Sequence, residues 1–301
     1  MVYTVWRRTG LVWAGAGGSP LAGATLGQNG SAAAGVETGG VPYYGYYRAS
    51  QYPDIVANLR LDQPWGSAQI NAAIHDVSGG CNGSCATGAF GSATGFAIGG
   101  GVKFNLPFAA GDELWIQGTY ADGATSYLGP YKPYGTDGVA VIRGDAANGS
   151  GKFTTALLAD AAIGIDGKVN TVKGYQFTVA GQHFWTPSLR TSVFGGYLKL
   201  DYSGAATDAV CTAYVAGGTK ASKAGCNPDV AIWQIGSRTI WTPVTNLDIG
   251  VEVLYSKIDQ NHTGSWDFSK ASLGGNSTGL YQARDVGIWQ GTLRVTRSFW
   301  P

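Results

Sequence analysis

Residues 247–258 read LDIGVEVLYSKI, and this stretch decides the fold class. Its alternate positions carry large apolar side chains: Leu247, Ile249, Val251, Val253 and Tyr255. The positions between them include Asp248, Glu252 and Ser256. Side chains of a β-strand point to opposite faces in turn, so a period of two predicts a strand with one apolar and one polar face.

The same alternation recurs along the chain, with turn residues between the segments. It predicts strands at 53–63, 67–77, 95–106, 113–120, 175–185, 189–202, 229–242, 247–258 and 287–299, with weaker candidates at 138–144 and 153–163. These segments give eleven strands. Residues 1–40 are rich in Gly and Ala and alternate little, so we treat them as an atypical N-terminal segment before a β-domain at 41–301.

Composition narrows the class of protein further. Charged residues make up 13% of the 301 residues, aromatic residues 12%, and there are 48 glycines. The net charge of +1 argues against a nucleic-acid partner, which would require a basic excess. No run of about 18 apolar residues is present, so no transmembrane helix is expected. The pattern therefore indicates an all-β protein, and either a membrane barrel or a soluble sandwich or propeller would alternate in this way.

The lengths of the connections favour an antiparallel up-and-down transmembrane β-barrel. Short turns at DQPWGS, NLPFAAGD, WTPSLR and WTPVTNLD alternate with long polar links around 81–85, around 211–226 and at 259–286. Outer-membrane barrels have short turns on one rim and long loops on the other. Aromatic residues beside the short turns predict an interfacial girdle of Trp65, Trp185, Trp241 and Phe299, with Phe108 nearby.

Charged residues in the middle of the polar faces also favour a barrel, because a water-filled lumen tolerates them and a lipid-facing surface does not. We predict that these residues line a pore: Arg60, Lys103, Arg190, Arg238, Asp248, Glu252 and Arg294. An ordinary structural role at solvated positions is the alternative for each of them. The excess of basic groups in the set suggests a weak preference for anions.

Four cysteines lie in two loop segments, as Cys81 with Cys85 and Cys211 with Cys226. Neither pair has a nearby histidine or the spacing of a zinc site. Their proximity predicts two local disulfides, which form in an oxidising compartment. We predict no metal and no cofactor.

Five long segments, in this order, resemble the porin family of α-proteobacteria. They are YPDIVANLRLDQPWGSAQINAAIHD (52–76), GGGVKFNLPFAAGDELWIQGTYADGATSYLG (99–129), VKGYQFTVAGQHFWTPSLRTSVFGGY (172–197), WTPVTNLDIGVEVLYSKIDQ (241–260) and WQGTLRVTRSF (289–299). The resemblance covers residues 45–301. It implies a 16-stranded homotrimeric porin of the bacterial outer membrane with an aqueous pore, in which a long loop folds inward towards basic wall residues.

The family numbering makes the predicted strands numbers 6 to 16, so we expect the N-terminal strands to be missing and the inward loop to precede residue 53. The expected function is passive diffusion of ions and small hydrophilic solutes. A non-conducting or truncated barrel with a surface or structural role is the alternative. Catalysis is not expected, because the three histidines, His75, His183 and His262, are scattered and no nucleophile or nucleotide-binding motif is present.

Overall fold

The computed structural model describes residues 46–47, 52–80, 91–129, 138–143, 151–163, 168–216, 223–267 and 279–299. Its fifteen strands are β1 Tyr46–Tyr47, β2 Ile55–Gln63, β3 Gly66–Gly80, β4 Ser92–Asn105, β5 Glu113–Asp122, β6 Gly138–Arg143, β7 Lys152–Leu157, β8 Ala161–Ile163, β9 Val169–Thr186, β10 Leu189–Tyr202, β11 Val230–Val244, β12 Leu247–Gln260, β13 Ser265–Asp267, β14 Leu280–Ala283 and β15 Val286–Arg297. One α-helix, α1, spans Gly204–Ala216. Within these residues no helix is long and apolar enough to cross a membrane. The predicted N-terminal segment at 1–40 lies outside the described residues.

Nine long strands form an antiparallel meander in the order β2, β3, β4, β5, β9, β10, β11, β12, β15. Short turns join β2 to β3, β4 to β5, β9 to β10 and β11 to β12, and we call their side of the sheet the turn rim. Long connections follow β3, β5, β10 and β12 on the opposite side, the loop rim. The predicted fold class, an all-β up-and-down antiparallel sheet, is confirmed.

Two of the eleven predicted strands do not belong to this wall. Residues 138–144 and 153–163 were expected in it, but β6 and β7 pair with each other, and β7 pairs in parallel with β14 in a separate four-stranded sheet. The large sheet still contains eleven strands, because the short β1 and β8 pair with β3 and β9. Alternating apolar and polar residues predict a strand with one apolar and one polar face, but they do not predict which sheet the strand joins.

The apolar face of the meander is uncovered. Its large side chains remain exposed along every long strand, for example Leu59 at 69%, Ile70 at 62% and Leu293 at 72%. A soluble sandwich would bury this face beneath a second layer of protein. We call it the outer face, and the face that the long connections cover the inner face.

Aromatic side chains border the outer face in two rows. The row near the turn rim contains the predicted girdle residues Trp65, Trp185, Trp241 and Phe299, together with Phe104 and Phe108. The row near the loop rim contains Phe96, Tyr120, Tyr175, Tyr197, Trp233, Tyr255 and Trp289, several of them in ring contact across strands. The rows lie eight to ten residues apart along a strand, as from Trp233 to Trp241, which corresponds to a band of about 20–27 Å for tilted strands.

The loop-side aromatic row runs obliquely across the sheet. Register pairs Tyr120 with Tyr175, Tyr197 with Trp233 and Tyr255 with Trp289, and between these pairs the row steps two residues towards the turn rim. The average step is about one residue per strand. With about 3.3 Å per residue and about 4.8 Å between strands, a level row then requires a strand tilt of about 35°. This value lies in the range of transmembrane barrels.

The long connections pack on the loop-side half of the inner face. Leu128 and Phe153 from the β5–β9 connection, and Trp266 and Tyr281 from the β12–β15 connection, are fully buried. They join one core with inner-face wall residues: Ala73, Ala97, Ala121, Val172, Leu198, Leu200, Val230, Ile232, Ile258 and Val286. Burial of each Leu, Ile or Phe contributes about 1.5–3 kcal/mol, so packing is the main force that holds the connections to the wall.

The β10–β11 connection is fastened by a helix cap and a disulfide. The Ser203 hydroxyl accepts a hydrogen bond from the Ala206 N–H at 3.2 Å and caps α1. Cys211 and Cys226 form the predicted disulfide, with Cα atoms 5.7 Å apart. Cys81 and Cys85 lie outside the described residues, so their disulfide stays a prediction.

His262 links two of the long connections from a buried position. Its Nδ1 accepts a hydrogen bond from the Asn227 N–H at 3.1 Å, and its ring lies 4.5 Å from that of Trp266. Burial disfavours the imidazolium and lowers the pKa of His262 to about 4. The neutral ring that this acceptor role needs is therefore maintained at neutral pH.

A pair of variants on β15 tests the assignment of the two faces. Leu293 points outward near the middle of the apolar band, whereas its neighbour Thr292 points inward. We expect Leu293→Arg to lower the free energy of unfolding in lipid by about 2–4 kcal/mol, because a guanidinium would face hydrocarbon. Thr292→Arg should leave it nearly unchanged. Urea unfolding in lipid vesicles measures both, and equal losses would contradict the assignment.

Candidate functional site on the inner face

The seven predicted pore-lining residues all lie on the inner face. They are Arg60 on β2, Lys103 on β4, Arg190 on β10, Arg238 on β11, Asp248 and Glu252 on β12, and Arg294 on β15. Strand register places them nearer the turn rim than the buried core described above. The inner face therefore has an apolar, packed half and a polar half, and we call the polar half the charged band.

Strands β10 to β15 carry the larger group of charges in the charged band. Arg238 lies directly opposite Glu252, and its Nε donates to Oε2 at 2.6 Å. Arg190 Nη2 donates to Asp248 Oδ2 at 3.3 Å. Among the described residues, Arg294 has no carboxylate within ion-pair distance. This group thus holds three guanidinium groups against two carboxylates.

Strands β2 to β5 carry balanced pairs. Lys103 Nζ donates to Glu113 Oε1 at 2.7 Å, and Arg60 Nη2 lies 2.8 Å from Asp62 Oδ1. The partners Glu113 and Asp62 were not among the predicted site residues. Asp62 shares the parity of Arg60 and could have been identified from the alternation, whereas the partnership of Glu113 requires the β4–β5 register.

Neutral amides lie between the charged band and the apolar core. Gln176 and Gln234 are buried on the inner face, and Gln234 Nε2 donates to Ser256 Oγ at 2.6 Å. The Gln176 Oε1 atom is buried without a hydrogen-bond partner. These groups add uncharged donors and acceptors beside the ion pairs.

A cluster at the loop rim joins the β5–β9 connection to the wall. The Tyr127 hydroxyl donates to Asp54 Oδ2, and His75 Nδ1 lies 2.8 Å from Asp54 Oδ1. Asp160 accepts from Thr125 Oγ1 at 2.9 Å, and its Oδ2 lies 3.8 Å from His75 Nε2. We call these five residues the latch. No local sequence signal predicts it, because its members come from distant segments.

Asp54 and Tyr127, which are hydrogen-bonded to each other in the latch, have shifted pKa values. Burial raises the pKa of Asp54, but hydrogen bonds from Tyr127 and His75 more than offset this, so it lies below its ordinary value. Burial and the hydrogen bond to Asp54 raise the pKa of Tyr127 to about 12. At neutral pH the carboxylate accepts and the phenol donates, so both groups favour the closed latch.

The β5–β9 connection is one of the inward-folded segments that the structure describes. It starts after Asp122 and covers the inner face with Leu128 and Phe153. The family resemblance placed an inward loop before residue 53, where the structure describes only residues 46–47 and 52, so this loop stays a prediction. Among the described residues no group of three His, Cys, Asp or Glu side chains could hold a metal ion.

Comparisons with known proteins give one family match and one similar solved structure. A family model described as "Porin subfamily" matches residues 23–291. Among solved structures, the chain is similar to the outer membrane channel DcaP of Acinetobacter baumannii at 14% identity and a TM-score of 0.48, over 83% of this chain and 54% of that one. The chain thus spans about half the length of that channel. None of the curated protein sequences matches it.

The latch should open at both extremes of pH. Asp54 stabilises the closed latch fully above its ordinary pKa near 3.8, and this stabilisation is lost as the pH falls through its lowered pKa. Tyr127 stabilises the closed latch fully below pH 10, and this stabilisation is lost as the pH rises towards its raised pKa of about 12. Hydrogen exchange of residues 123–129 and 151–163 measures the opening.

Asp54→Asn and Tyr127→Phe test the latch at neutral pH. Loss of a hydrogen bond to a charged group should speed exchange in these segments by on the order of tenfold. Tyr52→Phe is the control, since the Tyr52 hydroxyl meets Thr94 Oγ1 at 3.2 Å near the same rim and lies outside the latch. Exchange as slow in Asp54→Asn as in the control would show that packing alone holds the connection.

Proposed function

The chain belongs to the porin family, and from this membership we propose that it forms a water-filled channel through which ions and small hydrophilic solutes diffuse passively. Porins are β-barrels of the bacterial outer membrane, so the chain is an outer-membrane protein. The narrower resemblance to α-proteobacterial porins stays a prediction.

One observation carries the proposal. The outer face is apolar between two aromatic rows, while the turn-side half of the inner face carries the ion pairs of the charged band. An apolar exterior suits hydrocarbon, and ion pairs with partly exposed side chains suit water. Membership of the porin family supports the proposed transport role over catalysis.

The charged band would set the ion preference of the channel. Four of its five basic residues face a carboxylate, so their fields largely cancel for a passing ion. Arg294 adds a positive charge without such a partner among the described residues. We therefore propose a weak preference for anions that depends mainly on Arg294.

Planar-bilayer recording tests the channel itself. A porin gives stepwise, ohmic openings, and the homotrimer that the resemblance implies would give them in groups of three equal steps. The alternative, a non-conducting barrel with a surface role, remains because the core on the loop-side half could obstruct the path. Protein that migrates as a folded, heat-modifiable species but never opens would support that alternative and contradict the channel.

Arg294→Gln tests the ion preference. A unit charge about 6 Å from the path of an ion changes its energy in water by about 0.7 kcal/mol, or about threefold in occupancy at low salt. The reversal potential in a salt gradient gives the ratio of anion to cation permeability. We therefore expect this ratio to fall by up to about threefold in Arg294→Gln. Arg297→Gln removes the same charge from the outer face of the same strand, and an equal shift in this control would contradict the proposed role of Arg294.

A further inference from the structure

A repeated pairing of tyrosine and lysine lies on the outer face at the loop rim. On β10 and β12 the sequences YLKLD (197–201) and YSKID (255–259) share the pattern Y-x-K-x-D, and β9 carries Lys173 two residues before Tyr175. In each strand the lysine shares the outer face with the tyrosine and lies one step nearer the loop rim. We call Lys173, Lys199 and Lys257 the lysine belt.

Each lysine of the belt has one carboxylate partner on the outer face, which lies on the loop side of Lys199 and Lys257 and directly opposite Lys173 on β5. Lys199 Nζ lies 2.8 Å from Asp201 Oδ1, and Lys173 Nζ lies 3.7 Å from Asp122 Oδ2. Lys257 pairs with Asp259, whose other oxygen accepts from the Trp233 indole at 3.2 Å.

The ammonium groups of the belt keep capacity for a further ligand. An ammonium group has three donors, and each belt lysine forms one ion pair among the described residues. The side chains of Lys173, Lys199 and Lys257 are 57%, 36% and 33% exposed. Because the carboxylates of Lys199 and Lys257 lie on the loop side, the remaining donors of these two lysines are available on the side of the tyrosines.

The belt follows the oblique aromatic row. Lys173 pairs directly with Asp201, so Lys199 is its diagonal neighbour on the next strand, about 7–8 Å away. Lys257 lies two strands beyond Lys199 and two residues further along, about 12 Å away. The three lysines therefore stay at one depth when the strands tilt.

We propose that the lysine belt binds the phosphate groups of lipid headgroups in the outer leaflet. Tyrosines of an aromatic row mark the boundary of the hydrocarbon, so lysines one step further out lie at headgroup depth. Long loops of porins face the exterior, which assigns the loop rim to the outer leaflet. The belt continues the membrane-facing surface, and a lipid rather than a diffusing solute is therefore its ligand.

Titration of full-length protein in detergent micelles tests the belt, with native mass spectrometry to count bound lipid. The probes are bisphosphorylated lipid A and its enzymatically dephosphorylated counterpart. Wild-type protein should bind the phosphorylated lipid about tenfold more tightly or better. K173Q/K199Q/K257Q should lose this preference, and each single variant should lose part of it. Lys103→Gln is the matched control, because Lys103 also pairs with one carboxylate but lies on the inner face.

Three outcomes would overturn the proposal. The first is equal affinity of the wild type for both lipids. The second is an unchanged preference for the phosphorylated lipid in the folded triple variant. Displacement of the lipid by millimolar inorganic phosphate would identify a site for free anions instead. Should the triple variant not fold, the single variants and the two-lipid comparison decide. The measurement is of lipid binding, so its failure would leave the proposed channel untouched.

Discussion

Backbone N–H and C=O groups have no water to bond in hydrocarbon, and this constraint explains most of the structure. A meander of antiparallel strands satisfies these groups between neighbours, and the alternation of side chains then assigns apolar residues to one face. The rows of paired aromatic side chains, such as Tyr255 with Trp289, border the face that this constraint makes apolar. The same alternation leaves the opposite face free to carry Arg238 and Glu252.

The inner face has two parts at different positions along its strands: a packing surface near the loop rim and charged residues nearer the turn rim. Near the loop rim, Leu198, Leu200 and Ile232 provide a surface on which the β5–β9 and β12–β15 connections pack. Nearer the turn rim the same strands carry Arg190 and Arg238. One strand can do both because its inward positions change from apolar to charged along its length, while its outward positions stay uncharged between the two aromatic rows.

Much of this arrangement could be predicted from the sequence, because it depends on local alternation. The parity of Arg60, Lys103 and Arg294 assigns them to one face without any structure. Parity does not show which strands are neighbours, so the parallel contact of β7 with β14 and the removal of 138–144 from the wall could not be foreseen. The latch could not be predicted from the sequence for the same reason, because only the folded connection brings Asp54 and Asp160 together.

Strand direction and tilt together limit how the sheet can close. Both β2 and β15 run from the loop rim to the turn rim, so pairing them directly would make a parallel contact in an otherwise antiparallel wall. With a tilt of about 35°, nine strands would also give a backbone radius of only about 8–9 Å, which side chains nearly fill, whereas sixteen would give about 15 Å. The two buried connections on the inner face, which contain Phe153 and Trp266, need the wider barrel. Closure of an entirely antiparallel wall therefore requires an odd number of strands in addition to these nine.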